Sequence, residues 1–231
     1  MRFHDRRNAG RALATQLMTY ADQPGVVVLA LPRGGVPVGY EVAMALHAPL
    51  DVFLVRKLGV PGQEELAMGA IASGGVRELN LDVVEMLAIP QSTIDQVAAV
   101  ESKELARRER AYRDDLPPVD VRERVVILVD DGLATGASMR AALVTLRKKQ
   151  PERLVAAVPV APEMTCRELS ALADEMICLE TPEPFYGVGF WYDDFAPTSD
   201  DEVRELLRQA AERPAGPPQS YGELPGPHAT I

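Results

Sequence analysis

Apolar residues in this chain gather into short unbroken runs, each ending in a turn rich in glycine or charge and followed by residues at helical spacing. Gly25 to Leu31 (GVVVLAL), Val125 to Val129 (VVILV) and Leu154 to Val160 (LVAAVPV) are apolar throughout. Such runs predict strands buried on both faces. Leu50 to Val55 and Met176 to Leu179 read as further strands. Helical spacing covers Ala9 to Tyr20, the segment after Gly39 through Leu46, Met139 to Leu146 and Thr165 to Ala173. Strands alternating with helices in this way predict an α/β fold, a mostly parallel twisted sheet with helices on both faces.

Other stretches break the rhythm. Ala67 to Ala72 and Val76 to Leu79 flank Ser73-Gly74-Gly75 and predict a hairpin. Leu81 to Arg113 is helical with a break at Pro90, and Ser92 stands as N-cap with Asp95 at the capping-box position. Its apolar stripe (Ile94, Val97, Ala98, Leu105) is thin. Glu101, Lys103, Glu104, Arg107, Arg108, Glu109 and Arg110 recur at i, i+3 and i+4, which predicts a long solvated helix lying across the sheet. Thr198 to Arg208 reads as a last helix, with Ser199 as N-cap and Glu202 three residues on. The expected organisation is one domain over 1–213, with a helical insertion at 81–116 and an aromatic segment at 182–197. The Pro- and Gly-rich residues 214–231 are expected to be a disordered tail.

Composition narrows the function. With 231 residues and 47% hydrophobic content the chain can bury a sizeable core. A formal charge of −10 argues against nucleic acid as the main partner, since phosphate backbones are bound by basic surfaces. No run approaches the roughly 18 apolar residues of a membrane span, and the charged start MRFHDRRNAG lacks an apolar leader core. A cytoplasmic protein with no membrane partner is expected. Cys166 and Cys178 match no metal or redox spacing and read as core thiols. His4, His47 and His228 are too scattered for a histidine metal site.

The candidate chemistry lies at the end of the second long strand. VVILV runs into Asp130 and Asp131, then Gly132, Ala134, Thr135, Gly136, Ala137 and Ser138, then a helix. Ligands of open α/β sheets bind beyond the carboxyl ends of strands, and a helix N-terminus with unpaired N–H groups suits a phosphate. Small residues let the backbone wrap an oxyanion, with the Thr135 and Ser138 hydroxyls as further donors. Two carboxylates beside such a cradle can accept hydrogen bonds from sugar hydroxyls or help hold Mg²⁺. A phosphorylated sugar with free hydroxyls and a metal is the guest these residues suit. A Walker A loop is excluded because Ala137 and Ser138, not Lys, follow Gly136, and no G-x-G-x-x-G dinucleotide fingerprint occurs.

Residues 126–138 resemble the phosphoribosyl pyrophosphate (PRPP) motif of type I phosphoribosyltransferases: apolar strand, two acids, and a loop containing Thr-Gly. The resemblance implies that Asp130 and Asp131 contact the ribose hydroxyls and that Ala134, Thr135, Gly136, Ala137 and Ser138 hold the 5′-phosphate. It also makes Arg33, Gly34 and Gly35, at the end of the first apolar strand, the pyrophosphate loop. The run RKLGVPG from Arg56 is similar to the start of the flap of adenine-type members, which implies that Arg56 or Lys57 touches pyrophosphate and that the flap closes over the reaction. The implied reaction is Mg²⁺-dependent transfer of the phosphoribosyl group to a nitrogen acceptor such as a nucleobase, with Asp130 and Asp131 as the metal-holding carboxylates.

One departure bears on the acceptor. Members acting on 6-oxopurines carry an Asp immediately before Thr-Gly, and this chain has Ala134 there, as adenine-type members do. An acid/base therefore has to come from elsewhere, and Glu64 and Glu65 are the candidates. Half of the 12 aromatic residues fall within 185–195. Phe185, Tyr186, Trp191 and Tyr192 could stack on a planar acceptor, or the cluster could seal a sheet edge or a homodimer contact. Two alternatives to transfer stay open: a non-catalytic PRPP sensor, and a sugar-phosphate hydrolase with a convergent acid-pair loop.

Overall fold

The structure, a computed structural model, describes residues 2–113 and 118–212, Glu65 by its backbone alone. The expected tail at 214–231 and the end of the insertion lie outside these residues. The central layer is a parallel sheet of β1 (Val26–Ala30), β2 (Leu50–Val52), β6 (Val125–Val129), β7 (Arg153–Val160) and β8 (Glu175–Glu180), in the spatial order β2-β1-β6-β7-β8. Alternate residues of each central strand feed opposite faces, and both faces are apolar. Val27, Leu29, Val126, Leu128, Leu154 and Ala156 pack under α5 (Ala137–Lys148) and α6 (Glu163–Leu169). Val26, Val28, Ile127, Val129, Val155 and Ala157 pack under α1 (Arg6–Gln16) and α2 (Gly35–Leu46). The chain fills the sheet outward from β1 on one side and from β6 on the other, so the order reverses between these two strands. At such a switch point the connections diverge and leave a crevice.

Three stretches differ from the sequence expectation. The strand expected over Leu50–Val55 ends at Val52. A new strand, β3 (Val55–Val60), then pairs antiparallel with β4 (Gln63–Ala72), which pairs with β5 (Val76–Leu79) in a separate sheet. Phe53 and Leu54 are apolar and buried, so hydropathy alone showed no boundary there. The helical segment divides into α3 (Leu81–Met86) and α4 (Gln91–Arg113) and is not a solvated bar across the main sheet. Ile94 and Ala98 cover the small sheet beside Leu58, Met68 and Ile71. Further along α4, Leu105 and Tyr112 pack with Val203 and Leu206 of α7 (Asp200–Glu212). Ser92 sits inside this helix and not at its cap, while Ser199 caps α7 as expected, its Oγ accepting from the Glu202 N–H at 3.1 Å. Finally, Cys166 and Cys178 are joined as a disulfide that ties α6 to β8, where free thiols were expected. Their separation of 12 residues said nothing of two neighbouring elements meeting.

The first helix approaches α2 closely. A Cβ on Gly10 would stand 2.7 Å from the Val38 carbonyl oxygen and 2.9 Å from the Glu41 Cβ. Asp5 caps α1 by accepting from the Asn8 N–H at 2.6 Å, which starts the helix at Arg6, earlier than the expected Ala9. Among the described residues no helix is long and apolar enough to cross a membrane.

Gly10→Ala is expected to destabilise the fold by about 1–3 kcal/mol, because the backbones must part to admit the methyl group. Urea unfolding checks this. Reducing the Cys166–Cys178 bridge should cost roughly 2–3 kcal/mol, the range for a loop of this length. Unfolding with and without dithiothreitol measures it, and free thiols in the unreduced, denatured protein would contradict the bridge.

Candidate functional site

The crevice at the β1/β6 switch point is built from two strand-to-helix corners pressed together. At the end of β6, the Asp131 N–H donates to Asp130 Oδ1 at 2.9 Å, which fixes the Asp130 carboxyl against the backbone of its neighbour. At the end of β1, Leu31 donates its N–H to the Val129 carbonyl at 2.9 Å, and the chain turns through Pro32-Arg33-Gly34 into α2. The two corners leave no room for side chains between them. A Cβ on Gly35 would lie 2.9 Å from the Val129 carbonyl oxygen and 3.0 Å from the Asp130 Cα. One on Gly34 would lie 2.6 Å from the Asp131 Cγ. Glycine at 34 and 35 is therefore required by close approach, not by the backbone angles of the turn, since Gly34 takes φ −60° and ψ −31°.

The acid pair is largely shut off from solvent, and its electrostatics follow. Burial first, then the neighbouring Asp131 carboxylate, push Asp130 well above the usual carboxylate range. Burial also raises Asp131, against the opposing hydrogen bond and positive charge of Arg6. By residue type alone Arg6, with Arg7 and Arg11, reads as a solvated helix start or as a cation able to reach an anionic ligand. Instead its Nε donates to Asp131 Oδ2 at 2.7 Å, with both side chains mostly buried (11% and 15% exposed). The signal available in the sequence was its place at the first turn of α1 directly after the capping Asp5. A cation there opposes the helix dipole, so its partner had to lie off the helix.

Beyond the acids, the loop opens. Ala134, Thr135, Ala137 and Ser138 are exposed, and Gly136 takes φ +69° as it leads into α5. The first N–H groups of α5 face out of the helix without intrahelical acceptors, and the N–H of Ala137 has only a long 3.4 Å contact to Thr135 Oγ1. From behind, Thr165 Oγ1 donates to the Ala134 carbonyl at 3.1 Å, and a Cβ on Gly136 would stand 2.8 Å from Thr165 Cγ2. α6 thus backs the loop. The loop can surround an anion with backbone N–H groups and two hydroxyls.

The expected cations are distributed unevenly. Arg33 is half exposed at the crevice, with Nη1 3.7 Å from Asp200 Oδ1 at the start of α7. Asp200 also accepts from the Tyr112 hydroxyl at 2.8 Å. Arg56 is turned away to Glu101 of α4 at 2.6 Å. Arg56 thus makes an ion pair at the start of β3, and Glu101 is consequently not a solvated position. Lys57 is exposed on β3 opposite Ala70. Glu64 is exposed at the β3–β4 turn, where its Oε1 accepts from the Gly62 N–H at 3.1 Å. Hydrogen bonds from backbone N–H groups hold its carboxyl below the usual range. The backbone of Glu65 lies in β4.

The aromatic segment divides into a buried and an exposed part. Tyr192, expected as an acceptor-stacking ring, is only 2% exposed. It packs on Phe3 and Phe195, and its hydroxyl donates to the Asp131 carbonyl at 2.5 Å. It is a pillar behind the acid pair, because only there do both its ring and its hydroxyl find partners. Phe185 and Trp191 are half-buried in the same cluster. Tyr186 is open, and so is Phe190, which was not singled out from the sequence. Their rings are 5.7 Å apart and 69% and 66% exposed. Among the described residues no group of three or more His, Cys, Asp or Glu is placed to form a metal cage. Two adjacent carboxylates still suit Mg²⁺, which takes one or two carboxylates and fills its shell with water and substrate phosphate.

Comparison with known proteins agrees with this geometry. A family model described as "Phosphoribosyl transferase domain" matches residues 3–194. Two Mycobacterium tuberculosis proteins, from strains CDC 1551 / Oshkosh and ATCC 25618 / H37Rv, are each 46% identical over 208 residues. Their phosphoribosyl transferase name is itself provisional. The match covers 90% of this chain but only 47% of theirs, so the chain spans about half the length of these relatives. The crystal structure of TT1426 from Thermus thermophilus is 43% identical, with a TM-score of 0.82 over 90% of this chain and 99% of that one. The acid pair, the small-residue loop and the glycine turn all fall within the matched span, and the chain belongs to the phosphoribosyl transferase family.

Proposed function

We propose that this protein transfers the 5-phosphoribosyl group of PRPP to a nitrogen acceptor, with release of pyrophosphate. One observation carries the reading: a buried pair of carboxylates stands between an open phosphate cradle and a glycine turn bearing a cation, all at the switch point of the sheet. The N-terminus of α5 with Ala134 to Ser138 takes the 5′-phosphate, Asp130 and Asp131 accept from the ribose hydroxyls, and Arg33 with the Gly34 and Gly35 backbone receives the pyrophosphate end. Lys57 on the β3–β4–β5 sheet is the second pyrophosphate cation. Arg33 meets Asp200 only across a 3.7 Å, exposed contact. Such a contact is worth little, so exchanging it for a pyrophosphate oxygen is easy.

In the transfer, the C1–O bond to pyrophosphate breaks as an oxocarbenium-like centre develops, and the acceptor nitrogen attacks the opposite face and loses its proton. The chain's part is positioning and electrostatics. Asp130 and Asp131 are the residues that would hold Mg²⁺, which when bound neutralises pyrophosphate charge. Tyr186 and Phe190 are the rings open to a planar acceptor, while Phe185 and Trp191 are half-buried in the cluster around Tyr192. Glu64 or Glu65 is the proposed proton acceptor, reached by closure of the small sheet.

Calorimetric titration of PRPP with and without Mg²⁺ tests the reading. Asp131→Asn removes a charged acceptor and should weaken binding by about 10- to 150-fold, the equivalent of 1.5–3 kcal/mol. Absence of binding to the wild type would end the proposal, and binding without pyrophosphate release on any nucleobase would reduce it to a sensor. Phe190→Ala and Tyr186→Ala should leave PRPP binding unchanged while raising KM for the acceptor about 5- to 100-fold, as expected for lost base stacking. A pyrophosphate-release assay across purine and pyrimidine bases reads this out.

A further inference from the structure

Asp131 is held from both ends of the chain. On the N-terminal side, Arg6 Nε donates to Oδ2 at 2.7 Å. The guanidinium is itself fixed twice: Nη1 donates to the Ala196 carbonyl at 2.7 Å, and its face lies 3.9 Å from the centroid of the Phe195 ring. Phe195 stacks on Tyr192 with ring centroids 4.9 Å apart, and Tyr192 returns to Asp131 by donating to its carbonyl at 2.5 Å. The contacts close a ring: Asp131, Arg6, Phe195, Tyr192 and back to Asp131. Gly34 of the pyrophosphate turn lies against this ring, since a Cβ there would stand 3.2 Å from Arg6 Nε.

A purely structural reason for this arrangement is weak. A cation in the first turn of α1 works against the helix dipole. A buried ion pair gains about as much from attraction as it loses by desolvation, so an apolar contact would stabilise the fold as well or better. What the arrangement does achieve is geometric. A planar guanidinium bound at Nε, at Nη1 and on its face has one orientation, and it transmits that orientation to Asp131.

We propose that Arg6 is a positioning residue of the PRPP site, occupying one carboxylate oxygen of Asp131 so that the other is presented to the ribose hydroxyls. Phe195, Ala196 and Tyr192 are the parts that hold it there. The N-terminal helix and the segment after β8 then belong to the ligand site, although neither carries a phosphate-binding motif. This rests on the PRPP reading above.

The test is PRPP titration at fixed Mg²⁺ alongside thermal melts, for wild type, Arg6→Lys, Arg6→Ala, Tyr192→Phe, Asp131→Asn and the Arg6→Ala/Asp131→Asn pair. Arg7→Ala is the control, since Arg7 pairs with Glu41 at 2.5 Å and is half exposed. Arg6→Ala should weaken PRPP binding by about 10- to 150-fold, as for loss of one charged hydrogen bond. Arg6→Lys should recover part of this, Tyr192→Phe should weaken binding less, and Arg7→Ala should match wild type. In the Asp131→Asn background, Arg6→Ala should change binding by no more than about twofold, because the group it positions is already lost. A folded Arg6→Ala that binds PRPP like wild type overturns the proposal. So does an undiminished effect in the Asp131→Asn background, which would put Arg6 on the ligand itself. Should Arg6→Ala fail to fold, wild-type binding by both Arg6→Lys and Tyr192→Phe overturns it. A wild type that does not bind PRPP fails the functional reading instead, before any variant is compared.

Discussion

Two carboxylates forced together in a desolvated corner are the constraint around which this structure is arranged. Asp130 and Asp131 stand where β6 leaves the core, and the Asp131 carboxylate adds to what burial costs Asp130. Water does not relieve them, so the protein must, and the surrounding elements can be read as its means of doing so. Arg6 supplies the counter-charge. The Tyr192 hydroxyl fixes the backbone between the acids and the loop. The neighbouring turn has no side chains at 34 and 35, since any would collide with the acids. The pairing of β1 with β6 then brings a second strand-to-helix corner to the same place.

The parts legible in the sequence are those that sequence-local physics determines. A strand buried on both faces must be apolar throughout, so β1, β6 and β7 announced themselves. A strand, a small-residue turn and a helix in succession mark a candidate anion-binding loop without any knowledge of the rest. Ser199 could be named as a cap because the bond it makes spans three residues. The illegible parts depend on pairs far apart in the chain. Arg6 and Asp131 are separated by 125 residues and Tyr192 and Asp131 by 61. Arg56 and Glu101 are 45 apart. In each case the residue type was compatible with a solvated surface or an open loop, and only the fold decided otherwise. Tyr192 illustrates the limit: composition left its segment either as rings for a planar acceptor or as a seal on a sheet edge or dimer contact, and only the fold shows its hydroxyl partnered behind the acid pair.

The helical insertion shows the same limit from the side of packing. Its charge pattern is that of a solvated helix, and much of that face is indeed solvated. Yet a stripe of few apolar residues suffices when what it covers is small. Ile94 and Ala98 seal the three-stranded sheet, and Leu105 with Tyr112 reaches α7. The insertion therefore bridges the small sheet that carries Lys57 and the helix that carries Asp200. Its width on the surface understates its place in the core.

Burial also divides the site into a fixed and an adjustable half. Every group touching Asp131 is buried or pressed close: Arg6, Tyr192, Gly34 and the end of β6. By contrast Arg33 reaches Asp200 only across an exposed 3.7 Å contact, and Lys57 and Glu64 are exposed on the small sheet and its hairpin turn. Local order follows burial and contact density, so the surroundings of Asp131 are set by the fold, and under the proposed transfer the exposed groups are the part able to rearrange around a leaving group. For a transfer in which the bond to pyrophosphate must break while the sugar stays still, that is the useful division. The reacting carbon needs a rigid frame, and the departing anion needs cations that can follow it.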